Sequence, residues 1–173
     1  MKLTNTEIAN LKNNVNPVNF SGRSLTCADF HGINLSKSDL KKCVLIKADF
    51  TEANLDNAIL DFADLRISFF INASLVNASL INADLRHAVL TSANLVHSHL
   101  KNANIIGADF SFAKLRDVDF SEAMLVGANL TGVDLTGANL KGANLDGAKL
   151  AMSTLPDGTK YISSVNMKRF TQI

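Results

Sequence analysis

His97 and His99 stand on either side of Ser98, and twenty residues later Asp117 and Asp119 stand on either side of Val118. Imidazole nitrogens and carboxylate oxygens suit a borderline cation such as zinc. If the chain returns to the same place every twenty residues, these four side chains form a candidate metal site. The competing reading is a surface ladder of His and Asp in which each pair contributes little. Asp64-Leu65-Arg66 and Asp84-Leu85-Arg86 repeat at the same interval and predict an ion-pair ladder on one wall. No phosphate-binding loop, nucleophile elbow, pair of zinc knuckles or zincin helix occurs. Gly107, Gly127, Gly132, Gly137, Gly142 and Gly147 recur at turn spacing and serve bends instead of cradling a nucleotide. Cys27 and Cys43 read as free thiols, the first facing out and the second at a small inner position. No catalytic residue and no cofactor are assigned, and the chain is read as a non-enzyme.

The elements that must position these groups follow from one period. From Phe20 to Leu155 every residue numbered by a multiple of five is Leu, Phe or Ile, 28 in succession. Two residues earlier stands Ala, Ser, Cys, Val or Ile, with Arg23 the exception. A helix would scatter such a set around its circumference, and a flat strand would send alternate members to opposite faces. The pattern requires a chain that bends at every repeat, so that each short extended segment points its large residue at one shared axis. On this reading the large residue sits at the centre of a wall and the small one at a crowded inner corner. The six Phe in the large positions all fall at multiples of ten, and Phe30, Phe50, Phe70 and Phe110 share a column if a coil has four walls and 20 residues.

The segments Ala53-Asn54-Leu55, Ala63-Asp64-Leu65, Ala83-Asp84-Leu85, Ala128-Asn129-Leu130 and Ala138-Asn139-Leu140 resemble the A-[DN]-L-x-x unit of the pentapeptide-repeat family, over about four fifths of the chain. The resemblance implies an all-β fold, a right-handed quadrilateral β-helix with four repeats per coil. The 28 repeats then make about seven coils, a rod roughly 34 Å long at the usual strand spacing. It also implies a mainly bacterial family, abundant in cyanobacteria, most of whose members have no assigned activity.

A stacked rod must cover its two ends. Residues 1–17 read as an N-terminal cap around a helix over about 5–13. Thr4 and Glu7 make a capping box there, Leu3 and Ile8 a hydrophobic staple, and Ile8, Leu11 and Val15 cover the first coil. Residues 18–155 form the solenoid. Residues 156–173 read as a C-terminal cap with a turn at Pro156-Asp157-Gly158-Thr159 and apolar Tyr161, Ile162, Val165, Met167 and Phe170. Arg23 at an inner corner is expected to escape toward the N-terminal cap.

Function must be written on outward positions. Ile59, Phe62, Ile67, Phe69, Ile71, Val76, Ile81 and Val89 are apolar there, in a stretch whose run from Ile67 to Ala83 carries no charge. Contiguous exposed apolar area marks a partner site or self-association, whereas scattered residues mark nothing. These eight residues are the candidate protein-binding surface, and Ile67, Phe69 and Ile71 are expected to gather on one wall with Val89. The function expected is a rigid scaffold or protein-binding rod, with a homodimer through an end cap or the apolar surface as a competing use. The best understood members of the resembled family bind topoisomerases such as gyrase as DNA mimics, the quinolone-resistance type. Such mimicry needs a densely negative rod, since duplex DNA carries a charge about every 1.7 Å. Between Val18 and Leu155 there are 14 acids against 12 bases, and the whole chain has a formal net charge of +1. That balance predicts no nucleic-acid partner, the Asn residues within the uncharged run exclude a membrane span, and the N-terminus shows no signal peptide. A cytoplasmic location is the expectation.

Overall fold

The structure is a computed structural model that describes residues 7, 11, 17–163 and 167–172. Its backbone repeats a five-residue conformation, and the repeat at Leu55 shows why. Ala53, Asn54 and Leu55 are extended, so by strand alternation the outer two point inward and Asn54 points out. Residues 56 and 57 make a turn, closed by the Ala58 N–H donating to the Leu55 carbonyl at 2.9 Å. Asn57 has φ +59°, as the third residue of a type II turn requires.

Every backbone N–H of this repeat finds an acceptor. Asn54 donates to the Ile33 carbonyl of the coil before at 3.0 Å, and Leu55 donates to Ser74 of the coil after at 2.7 Å. Asn57 donates to Val76 at 2.9 Å, and the Asp56 N–H donates to the side-chain Oδ1 of Asn54 at 2.9 Å. This last bond is the physical reason for Asn and Asp before the large residue. Buried or half-buried amides need partners, and a short side-chain acceptor two residues back supplies one.

Parallel bridges join each outward residue to the one twenty positions on, from Asn19↔Asp39 through Asp134↔Thr154. The coil is therefore four repeats long. Each contact is a single-residue bridge because a turn follows at once, and no longer strand forms among the described residues. The first wall carries the column Asn19, Asp39, Ile59, Ser79, His99, Asp119 and Asn139. The second begins at Ser24, the third at Asp29 and the fourth at Asn34, each with the same twenty-residue register. The large residue is not at the centre of its wall, as the period alone suggested. The bridged outward residue is, with the small and large residues pointing inward on either side of it.

Inside, the Leu and Phe positions pack with the Ala positions into one continuous core. Phe30, Phe50 and Phe70 stack with ring centroids 5.0 and 4.8 Å apart and planes within 11°, while Phe110 meets Phe120 edge-on at 6.1 Å. Ser68, Ser98 and Ser153 take small positions and stay satisfied while buried, each hydroxyl donating to the carbonyl three residues back. Cys43 is buried, which pushes its thiol pKa up, and Cys27 is exposed; neither is in a disulfide.

The N-terminal helix over 5–13, with Thr4, Leu3, Ile8 and Val15, lies outside the described residues except at Glu7 and Leu11. Both of these are helical; Leu11 is buried in the core, and the Glu7 carboxylate pairs with the Arg23 guanidinium, which also lies over the Phe20 ring. At the other end Lys160 pairs antiparallel with Thr154, and a short helix, α1 (Lys168–Thr171), returns to the last coil, where the Gly142 N–H donates to the Thr171 carbonyl at 2.9 Å. Tyr161, Met167 and Phe170 pack against the core. Ile162, expected to do the same, is exposed, and Val165 lies outside the described residues. Among the described residues no helix is long and apolar enough to cross a membrane.

On the second wall Arg66 donates from Nε and Nη2 to the two oxygens of Asp64, both at 2.7 Å. One coil on, Arg86 holds Asp84 in the same way, and Arg66 Nε lies 3.8 Å from Asp84. The bonds from Arg66 hold the Asp64 carboxyl below the usual carboxylate range, and those from Thr136 do the same for Asp134.

Two outcomes follow. Phe50→Ala removes the middle ring of the stacked column and should cost about 3–5 kcal/mol in urea-unfolding stability. For the lowered carboxyls, the stability they contribute is present above the unfolded carboxylate pKa and lost as pH falls through the lower folded value. Thermal midpoints should therefore hold down to about pH 4 and fall below it, and Asp64→Asn should flatten that fall.

Candidate functional site

The eight apolar residues do not form one surface. Turns 61–62 and 76–77 flank the first wall, so Ile59, Phe62, Val76 and Ile81 collect around it. Turns 66–67 and 71–72 flank the third wall, so Ile67, Phe69, Ile71 and Val89 collect there, on the opposite side of the rod. Ile59, Phe62, Ile67 and Phe69 are exposed, whereas Ile71, Val76, Ile81 and Val89 are half-buried. On the first wall Lys41 Nζ lies 5.8 Å above the Phe62 ring, so that patch is partly covered by the chain's own side chain.

The third-wall group is the more coherent. Phe69 and Val89 are bridged neighbours in the central column, with Ile67 at one corner and Ile71 at the other. Its column runs Asp29, Asp49, Phe69, Val89, Asp109, Asn129, Lys149. Where it carries Asp the carboxylate is engaged: Asp49 accepts the Thr51 N–H at 2.8 Å, and Asp109 accepts the Ser111 N–H at 2.9 Å and Asn129 Nδ2 at 3.0 Å. Bonding to Thr51 holds the Asp49 carboxyl below its ordinary range. Phe69 and Val89 cannot make such a bond, and the N–H groups of Ile71 and Thr91 have no protein acceptor among the described residues. The wall thus gives up two structural hydrogen bonds where it turns apolar.

Beside this group, at the corner between the second and third walls, Ile46, Arg66, Ile67, Arg86 and His87 line a cleft of about 240 Å³. This cleft was not foreseen from the sequence, although Ile46, one coil before Arg66 in the same turn position, was the available signal. His87 leans onto Gly107: a Cβ there would come within 2.7 Å of His87 Nδ1, so glycine keeps the space the imidazole fills.

The four candidate metal ligands do not converge. His97 Nδ1 lies 3.7 Å from Asp117 Oδ2 in the turn column, and His99 is bridged to Asp119 in the wall column. Ser98 and Val118, both pointing inward, separate the two columns, and Asp119 Oδ1 already accepts the Ser121 N–H and Asn139 Nδ2, each at 3.0 Å. Among the described residues no group of three or more His, Cys, Asp or Glu is placed to hold a metal ion. The set is a ladder of pairs.

A trypsin-treated variant of QnrB1, described as a plasmid-mediated fluoroquinolone resistance protein, is similar in structure with a TM-score of 0.63 at 20% identity, covering 83% of this chain and 88% of that one. HetL, a pentapeptide repeat protein involved in heterocyst differentiation regulation from the cyanobacterium Nostoc sp. strain PCC 7120, is 25% identical over 92% of this chain and 100% of its own, with a TM-score of 0.33. No curated protein sequence matches the chain. A family profile, pentapeptide repeats, matches it in eight copies within residues 18–41, 33–68, 60–91, 68–105, 83–121 and 113–150. With that profile spread over most of its length and a solenoid built on the same period, the chain belongs to the pentapeptide-repeat family.

Proposed function

We propose that this protein is a non-enzymatic rigid rod that binds another protein through its third wall. In this reading about seven four-sided coils are held between an N-terminal cap, residues 1–17, and a C-terminal cap, residues 156–173. The observation that carries it is the Phe69–Val89 column: two apolar residues side by side on an otherwise polar wall, with Phe69 38% exposed. A structural role would favour Asn or Asp at both positions, because each would bond the amide two residues on. Their replacement weakens the coil locally and exposes area that a partner can bury, at about 25 cal/mol per Å².

Several features support binding over catalysis. The walls are flat or convex, and the cleft at Ile67 is lined by Ile46, Ile67, His87 and the ion-paired Arg66 and Arg86, with no nucleophile beside a base. Duplex mimicry has less support, because Phe69 and Val89 interrupt the acidic column of the third wall and Lys149 ends it. A line of charge is the requirement there.

The test is affinity capture with the immobilised native chain and a Phe69→Ser/Ile71→Ser variant, followed by reconstitution with the purified captured protein. Both forms should melt within a few degrees of each other, since the two side chains lie outside the core. Binding should weaken by about tenfold or more in the variant. Equal binding by the two forms would refute this use of the wall. Sedimentation of the native chain alone shows whether a second copy already occupies it.

A further inference from the structure

We propose that the corner at Ile67, with its cleft and the adjoining Phe69–Val89 column, docks a protein segment that presents an apolar side chain with a carboxylate close beside it. This rests on the protein-binding reading above and adds the chemistry of the partner.

Ile67 is in the wrong conformation for its type. Its φ is +59°, and among the described residues it is the one β-branched residue at positive φ. The left-handed conformation presses Cβ toward the following carbonyl, and branching at Cβ makes it a true outlier. Equivalent turn positions are filled mainly by Gly, Asn, Lys and His, which tolerate it better or lack the branch. The side chain gains no core burial in return, being 43% exposed. Strain retained at an exposed position points to a use outside the fold.

The cleft that Ile67 lines with Ile46 and His87 has room for one large apolar side chain. What surrounds it is a set of donors. Arg66 and Arg86 use Nε and Nη2 on Asp64 and Asp84, which leaves Nη1 of each without a protein acceptor among the described residues. Lys47, the turn residue one coil before Ile67, is exposed and makes no ion pair among the described residues. The N–H group of Ile46 is likewise without a protein acceptor among the described residues. The neighbouring carboxylates are engaged, Asp64 and Asp84 by arginine and Asp49 by Thr51, and Glu52 stands across the wall at the opposite corner. A cleft lined by apolar side chains and by arginines with free donors is complementary to an apolar residue flanked by Asp or Glu. Among the described residues a basic segment would meet Lys47 without an ion pair and no unengaged acid on that side.

The experiment pans a random-peptide phage library on the folded native chain, then measures the recovered peptides against native, Ile67→Asn and Phe69→Ser/Ile71→Ser proteins. Recovered sequences should share an apolar residue with Asp or Glu within two positions. Their affinity should drop by about tenfold or more on Ile67→Asn and weaken as salt is raised. The same Ile67→Asn protein should melt higher than native, by about 2–4 °C, because asparagine accepts the left-handed turn. That separates lost binding from lost folding. Recovered peptides that are basic or lack acids, no enrichment over the empty support, or an Ile67→Asn protein that melts lower would each overturn the proposal. Peptides lost on Phe69→Ser/Ile71→Ser but held equally by Ile67→Asn overturn it while leaving the third wall as a protein-binding surface. Peptides held by both variants overturn both readings.

Discussion

Each coil is tied to the next by backbone hydrogen bonds that close only if one residue in five adopts a left-handed conformation. The bond from Ala58 to Leu55 closes the turn, and those from Leu55 and Asn57 reach the following coil. This repeated geometry aims two of every three wall residues inward, so the core is a stack of Leu and Phe lined with Ala. It also limits the surface to one wall position and two turn positions per repeat. Stability is in this way shared among many equivalent neighbour contacts, as in other solenoids, and departures at single outward positions are tolerated.

Those departures are where function can be looked for. Outward wall positions have a structural preference for Asn and Asp because a side-chain acceptor there serves the amide two residues on. Turn positions have a preference for residues that accept positive φ. Ile67, Phe69 and Val89 disregard these preferences within two consecutive coils and on adjoining parts of the surface. Ile59 and Phe62 do so on the opposite wall, with Lys41 drawn over the aromatic ring. The rod thus combines a uniform interior with a surface that departs from these preferences in more than one place. Ile67 and Phe69 stand in the stretch lacking charge from Ile67 to Ala83, and Val89 lies beyond it.

The glycine corners of the later coils show the same economy of space. His87 lies over Gly107, and Phe112 lies over Gly132, where a Cβ would come 2.7 Å from the ring. A side chain in one turn therefore constrains the residue twenty positions on, and the corner columns are coupled along the rod as the core columns are.

The sequence alone determined the period and the inward residues, because a five-residue repeat of large and small apolar residues admits no helix or flat sheet, and the four-sided coil was what the family resemblance implied. The Phe30, Phe50 and Phe70 column and the burial of Cys43 were legible for the same reason. It also placed Ile67, Phe69, Ile71 and Val89 near one another, since their numbers modulo twenty put them around one wall. Only the tertiary structure decided that the outward residue and not the leucine marks the wall centre, and that His97 and His99 stand in separate columns. These depend on where within each five residues the chain bends, which periodicity leaves open. The cleft beside Ile67 is likewise tertiary: it is made by Ile46, Ile67 and His87 from three successive coils, and its shape depends on side chains leaning across the spacing between them.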